Sequence, residues 1–196
     1  MNVGIITFHN AINYGAVLQT YALQTSLQNL NCDVHVINYI NNKIVGKNEK
    51  PSLRDYRNPL KYLNDSYMYG IYQAKRKQIV RFSDRYIKKT SIVEKNNIQK
   101  IAEKFDVVFT GSDQVWNDKI TGSDDTYYLN FIPGKKRFSY AASIGSNTIP
   151  TENIPRVKKL LADFNKISVR ESSAVEALKT QLDISGVRSY FITYKE

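Results

Sequence analysis

The chain opens on Val3-Gly4-Ile5-Ile6-Thr7-Phe8, a short and nearly all-apolar run, which is the pattern of a parallel strand covered on both faces. Polar residues take over at His9-Asn10-Ala11-Ile12-Asn13-Tyr14-Gly15, an Asn- and Gly-bearing turn. Over residues 16–30, Ala16, Leu23, Leu27 and Leu30 fall on one side and Gln19, Thr20, Gln24 and Gln28 elsewhere, predicting a helix. Residues 33–39 (DVHVINY) predict a second strand that closes a βαβ-type unit. A strand feeding a loop and a helix N-terminus offers backbone N–H groups and a positive dipole end to an anion.

The pattern changes after residue 41. Polar Asn/Lys sequence, Pro51 and Pro59, a Tyr-rich stretch (Tyr56, Tyr62, Tyr67, Tyr69, Tyr72) and a basic segment read as a helical insertion between sheet elements, over about residues 41–105. Strand-like runs return at residues 106–110 and 137–143, and again around Ile167-Ser168-Val169-Arg170. Helical patterns cover residues 98–105, 154–164 and 172–181, with Ser172 as a candidate N-cap. Strands alternating with helices predict an α/β, Rossmann-like and mainly parallel sheet with flanking helices. Four polar clusters then end predicted strands: residues 9–15, 111–117, 143–146 and Arg170-Glu171. In parallel strands these converge on the C-terminal rim, where open α/β sheets bind ligands.

Composition narrows the classes. The chain has 196 residues, 42% of them hydrophobic and 23% charged, enough for one self-supporting domain and unlike a disordered chain. No apolar window reaches membrane-spanning length, and the N-terminus lacks a signal-peptide pattern, so a cytoplasmic location is expected. A single cysteine, Cys32, excludes an internal disulfide and a multi-cysteine metal site. His9 and His35 are too few for a polyhistidine centre, and His35 alternates with Val34 and Val36 as a strand residue does. The net charge of +10 makes an anionic partner or substrate worth testing. Ten basic residues against three acidic ones lie between Lys75 and Lys104. A nucleic-acid binder uses such a stripe, but Ile71, Tyr72, Ile79, Phe82, Tyr86 and Ile87 recur there at helical spacing, and an amphipathic helix with a solvated basic face is the plainer reading.

The segments FHNAINYGAVLQTYAL (residues 8–23), GSDQVWN (111–117), SYAASIGS (139–146) and ISVRESSAVEAL (167–178) together resemble the N-terminal half of the polysaccharide pyruvyl transferase family. The resemblance implies one half of a GT-B-like architecture. It also implies transfer of a pyruvyl group from phosphoenolpyruvate, as donor substrate and with no cofactor, to a sugar hydroxyl in exopolysaccharide or capsule biosynthesis. Relatives are usually near twice as long, so the expectation is a truncated protein: a domain over residues 1–178, a divergent tail over 179–196, and no second domain.

The resemblance asks for an acid for the methylene carbon of phosphoenolpyruvate, cations for its phosphate and carboxylate, and a base for the sugar hydroxyl. Asp113 is the catalytic candidate, flanked by Gly111, Ser112 and Gln114; capping of the following turn is its alternative role. Asn13, Tyr14 and Gly15 form the turn into the first helix, where Asn13 binds ligand or serves as a plain N-cap. Trp116 and Asn117 suit sugar recognition, with burial beneath the loop as the alternative for Trp116. Ser143 and Gly145 belong to the third cluster, His9 serves as acid or phosphate partner, and Arg170 pairs with Glu171 or shapes the cleft floor. If the chain acts alone, His9, Arg137 and Arg170 are the cations already present.

Three functional readings follow. The first is a pyruvyl transferase-like protein that works with a separately encoded second half or as a homo-oligomer. The second is a non-catalytic module binding a glycan, sugar nucleotide or lipid-linked oligosaccharide. The third is a basic nucleic-acid binder, which lacks any helix-turn-helix or RNP signature. Peripheral contact with an anionic membrane surface is a further expectation from the charge.

Overall fold

The computed structural model describes residues 1–45, 51–52 and 58–189; Tyr56 and the tail beyond Ser189 lie outside the described residues. Five parallel strands form the main sheet: β1 (Asn2–Ile6), β2 (Asp33–Tyr39), β3 (Lys89–Val93), β4 (Val107–Gly111) and β5 (Arg137–Tyr140). Their order is β3-β2-β1-β4-β5. The parallel bridges Phe138↔Lys166 and Ala142↔Val169 carry β6 (Ser168–Val169) alongside β5, and β7 (Arg188–Ser189) pairs parallel with β6. The sheet thus runs outward from β1 in two directions, the doubly wound arrangement expected from the alternation of strands and helices.

The central strands β1 and β2 feed two cores because successive side chains point to opposite faces. Val3, Ile5, Val34 and Val36 pack with Val17, Leu23 and Ile79 on one face. Ile6, Ile37, Val93 and Val108 pack with Ile98, Leu161 and Leu178 on the other. Gly4 leaves room for the Phe105 ring, which a Cβ there would meet at 2.9 Å. His35 lies on that same side with its ring 6.2 Å from Phe105, the structural role its strand alternation implied.

Helix α1 (Tyr14–Gln28) starts two residues earlier than its apolar pattern suggested, because Asn13 accepts from Gly15 N at 2.8 Å and Ala16 N at 3.4 Å. Leu30 is not on its buried side. It lies past the C-cap Asn29, exposed, where Asn31 turns at φ 60° toward β2.

The insertion holds α2 (Asn42–Val45), α3 (Pro59–Tyr86), the strand β3 and α4 (Ile98–Ala102). The basic segment is therefore not one helix. Gln24, buried on α1, receives Lys88 N at 2.7 Å and donates to the Tyr86 carbonyl at 3.0 Å. That clamp ends α3 and turns the chain into β3, distributing the cations over a helix end, an edge strand and α4. Contacts between α1 and α3 advance in step: Tyr14 with Gln78, Tyr21 with Phe82, and Gln24 with Tyr86. The helices run parallel. Residues of α3 before Gln78 consequently extend past the start of α1, and so past the C-terminal rim of the sheet, by about 28 Å at the helical rise.

The remaining helices are α5 (Asp118–Thr121), α6 (Ile154–Ala162) and α7 (Ser172–Leu182). Ser172 is the first helical residue of α7 rather than its cap; Glu171 occupies the N-cap position without a side-chain capping bond. Packing continues past Leu178: Leu182 is fully buried and β7 extends the sheet. No helix among the described residues is long and apolar enough to cross a membrane.

Candidate functional site

Parallel pairing of β1 with β4, β4 with β5, and β5 with β6 places all four polar clusters at one rim. The strand order reverses between β1 and β4, the topological switch point where ligands of open α/β sheets bind. Three of the clusters interlock. Ser143 N donates to the Asp113 carbonyl at 2.9 Å and Trp116 N to the Ser143 carbonyl at 3.1 Å, tying the β4 loop to the β5 loop. Ser143 Oγ donates to Glu171 Oε1, tying the β5 loop to the start of α7. Arg170 faces this group, with Nη2 3.5 Å from Glu171 Oε1, and its charge acts on Asp113.

Backbone conformation marks the same place. Gly111 (φ 120°), Ser112 (φ 65°), Ala141 (φ 48°) and Gly145 (φ 69°) all adopt positive φ at the ends of β4 and β5. For Ser112 and Ala141 this is a sparsely populated conformation, of the kind that clusters at ligand sites. It is held by Ser112 N donating to the Tyr140 carbonyl at 2.7 Å and Arg170 N to the Ala142 carbonyl at 3.0 Å. A Cβ at Gly111 would collide with the Tyr140 carbonyl, and one at Gly145 with the Gln114 and Asn117 amides.

Asp113 is half-buried, and burial pushes its carboxyl above the usual range, opposed by a hydrogen bond from Gln114 N and by Arg170. The Gln114 bond (2.8 Å to Oδ1) is the turn-capping contact, so Asp113 caps and still faces the rim. Glu171 has one buried oxygen, Oε2, with no hydrogen-bond partner. An uncompensated buried carboxylate oxygen is costly and points to a missing donor. Glu171 stood in the sequence beside Arg170, but nothing in the primary pattern separated a simple ion-pair partner from a carboxylate shared between Ser143 and Arg170.

The amides are partly committed. Asn13 Oδ1 caps α1, Asn117 Oδ1 receives Lys119 N at 3.1 Å, and Asn117 Nδ2 donates to Gln114 Oε1 at 2.8 Å. The side-chain N–H groups of Asn13 and Gln114 make no hydrogen bond among the described residues. Gly15 is exposed beside Asn13. Tyr14 turns toward α3, its hydroxyl donating to Gln78 at 3.0 Å and its ring 5.1 Å from Lys75 Nζ.

Several candidates serve the scaffold. Trp116 is 3% exposed, stacked on Tyr128 at 5.6 Å, edge-on to Phe164, and donates Nε1–H to the Tyr127 carbonyl. Its face is covered, so the burial alternative holds. It is one of the residues lining a cavity of about 220 Å³, together with Asn117, Lys119, Gly145, Ser146 and Thr148, beside Asp113 rather than at it. His9 is buried with its ring nitrogens 3.2 Å from the Thr7 carbonyl and 3.0 Å from Asn38 Oδ1, and burial holds its pKa below the usual histidine value. An enclosed imidazole with both ring nitrogens already engaged is no phosphate partner. Arg137 begins β5, at the opposite edge of the sheet from the rim, donating Nε–H to the Ile132 carbonyl at 2.8 Å and pairing with Asp163 at 3.6 Å. Of the three cations considered, only Arg170 stands at the site.

A family model described as polysaccharide pyruvyl transferase matches residues 13–192. The match begins at Asn13, the cap of α1, and includes every candidate site residue except His9. No curated protein and no solved structure matches the chain significantly.

Proposed function

Because the chain belongs to the polysaccharide pyruvyl transferase family, we propose that its rim site takes part in pyruvyl transfer from phosphoenolpyruvate to a sugar hydroxyl. The observation that carries this reading is the meeting of Asp113, Ser143, Arg170 and Glu171 at the ends of three neighbouring parallel strands. The chemistry needs a proton for C3 of phosphoenolpyruvate while a sugar oxygen bonds to C2 and loses its own proton. A second hydroxyl closing the ketal releases inorganic phosphate. Asp113, whose carboxyl burial pushes above its usual range, is the acid. Glu171, with one oxygen oriented by Ser143 and the other unpartnered, is the base for the hydroxyl. Arg170 holds one anionic group of the donor, and the amide N–H groups of Asn13 and Gln114 match sugar or carboxylate oxygens. The small cavity lined in part by Trp116 accepts one sugar ring rather than a nucleotide, being below the roughly 300–1,000 Å³ of drug-sized sites.

Phosphoenolpyruvate carries a phosphate and a carboxylate, and Arg170, the one cation that the described residues set against Asp113 and Glu171, does not balance both. We therefore propose that further donor-side cations come from a second half of the site, supplied by another domain or polypeptide, and that residues 1–196 alone bind acceptor but transfer little. The reading belongs to surface-polysaccharide assembly in the cytoplasm, with a sugar or lipid-linked oligosaccharide as acceptor. The shortage of cations at Asp113 among the described residues also favours a second reading, a glycan-binding module without chemistry. The test is phosphate release and mass-spectrometric detection of pyruvylated product from a panel of hexoses and N-acetylhexosamines, with and without a candidate second-half polypeptide. Product only in the mixture supports the transferase reading. Acceptor binding without product in any mixture supports the binding module, and turnover by the chain alone refutes the need for a second half.

A further inference from the structure

Independently of the transferase reading, we propose that the outer face of α3 is a docking surface for an anionic lipid bilayer. Leu60, Leu63, Tyr67 and Ile71 recur at three- and four-residue intervals on one side of this helix. They are 74%, 61%, 68% and 48% exposed, with Met68 exposed beside them. Scattered surface apolars are ordinary, but a contiguous stripe of large ones is the mark of an interaction surface. The same line continues through Ala74 and Gln78 to Arg81 and Arg85. An apolar half followed by a cationic half on one helical face is the chemistry of an interfacial helix, whose apolar side chains enter the headgroup boundary while Lys and Arg meet anionic headgroups.

Charge selects the occupant. Helix α3 carries six basic and two acidic residues, and Lys77 and Arg81 form no ion pair among the described residues. A second copy laid in parallel along the whole face would set the same cations against Arg81 and Arg85 and be repelled. A bilayer of anionic lipid accommodates the stripe and neutralises the cations together. The position agrees with such a role, since the exposed half projects past the rim from the point where Lys75 and Gln78 meet Tyr14 at the start of α1. A protein lying on α3 holds its rim site close to the membrane surface.

Vesicle co-sedimentation of the 196-residue protein tests the proposal, with phosphatidylcholine vesicles compared to phosphatidylcholine mixed with phosphatidylglycerol. Binding to the anionic vesicles is expected to be at least about tenfold stronger and to fall as salt is raised. Leu63→Ser with Tyr67→Ser, and separately Arg81→Gln with Arg85→Gln, should each lower it about tenfold. Circular dichroism and melting should stay unchanged, because these side chains are exposed. If the apolar pair fails to fold, the charge pair still decides. Equal binding to both vesicle types, or no loss in the folded variants, overturns the proposal. So does light scattering that finds a dimer dissolved by the Leu63/Tyr67 variant, which would make the stripe a self-association face.

Discussion

Ser143 donates its hydroxyl hydrogen bond to Glu171 while its oxygen accepts the Gly145 N–H at 3.0 Å. One side chain thus aligns a carboxylate and a glycine turn across two strand ends. Glu171→Gln should lower kcat in the assembled transfer reaction by roughly 10²–10⁴-fold with little change in KM for phosphoenolpyruvate. Ser143→Ala, which removes orientation but keeps the carboxylate, should cost about tenfold. Steady-state kinetics on both variants distinguishes these outcomes; equal effects would make Glu171 a structural partner of Ser143.

Asp113→Asn should separate stability from function. A half-buried carboxyl whose pKa is raised on folding destabilises the fold once pH exceeds the ordinary aspartate range, because the folded state resists losing the proton. The neutral amide removes that cost. Thermal melting at pH 7 should therefore stay level or rise, by no more than ~1 kcal/mol or ~2–4 °C. Acceptor binding followed by NMR titration should weaken at least about tenfold.

Acid should destabilise the protein over two successive pH ranges. Burial holds His9 below its ordinary value of about 6.5, so as pH falls through that value the unfolded chain takes up a proton more readily than the folded one. Stability begins to fall there. Burial pushes Asp124 up, but bonds from Tyr39, Lys95 and Thr126 outweigh it and hold the carboxyl below its usual range. Its contribution is intact above pH ~4 and is lost as pH falls further through the lowered folded value. At the alkaline end Tyr39 is pushed up to about 12 by burial and by Asp124, so its contribution is complete below about pH 10 and fades above it. Urea titrations across pH should show the first slope disappear in His9→Gln and the second in Asp124→Asn.

Trp116→Ala should cost ~3–5 kcal/mol, a large share of a domain's whole stability. Trp116→Phe should lose much less and keep sugar binding, because the indole face lies on Tyr128 rather than toward solvent. A Phe variant that folds but no longer binds acceptor would return Trp116 to the ligand.

The central strands were legible because each is a compact apolar run bounded by turn residues, and β2 matches its predicted limits. The edge strand β3 was not. Lys88 and Lys89 continue the charge of α3 across the boundary, while the stop signal is Gln24, distant in sequence. Half of the candidate site was readable for a similar reason: loops after parallel strands share a rim whatever their side chains do. What each side chain does there depended on partners from elsewhere in the chain. Asn38 encloses His9, Tyr128 covers Trp116, and Ser143 binds Glu171. None of these pairings leaves a local pattern.

The pairing of β1 with β4 also dictates the order in which the molecule can assemble. Val3 lies opposite Val107, and Asn2 N donates to Asp106 at 2.7 Å, so the middle of the sheet closes over a loop that holds the whole of α3. Closing so long a loop is slow compared with local contacts. During synthesis the β1-α1-β2 unit therefore emerges with one flank of its central strand unpaired, and it stays so until β4 has left the ribosome. In that interval the exposed strand edge is open to pairing with other chains, and the yield of folded protein should depend on how quickly residues 40–106 are translated.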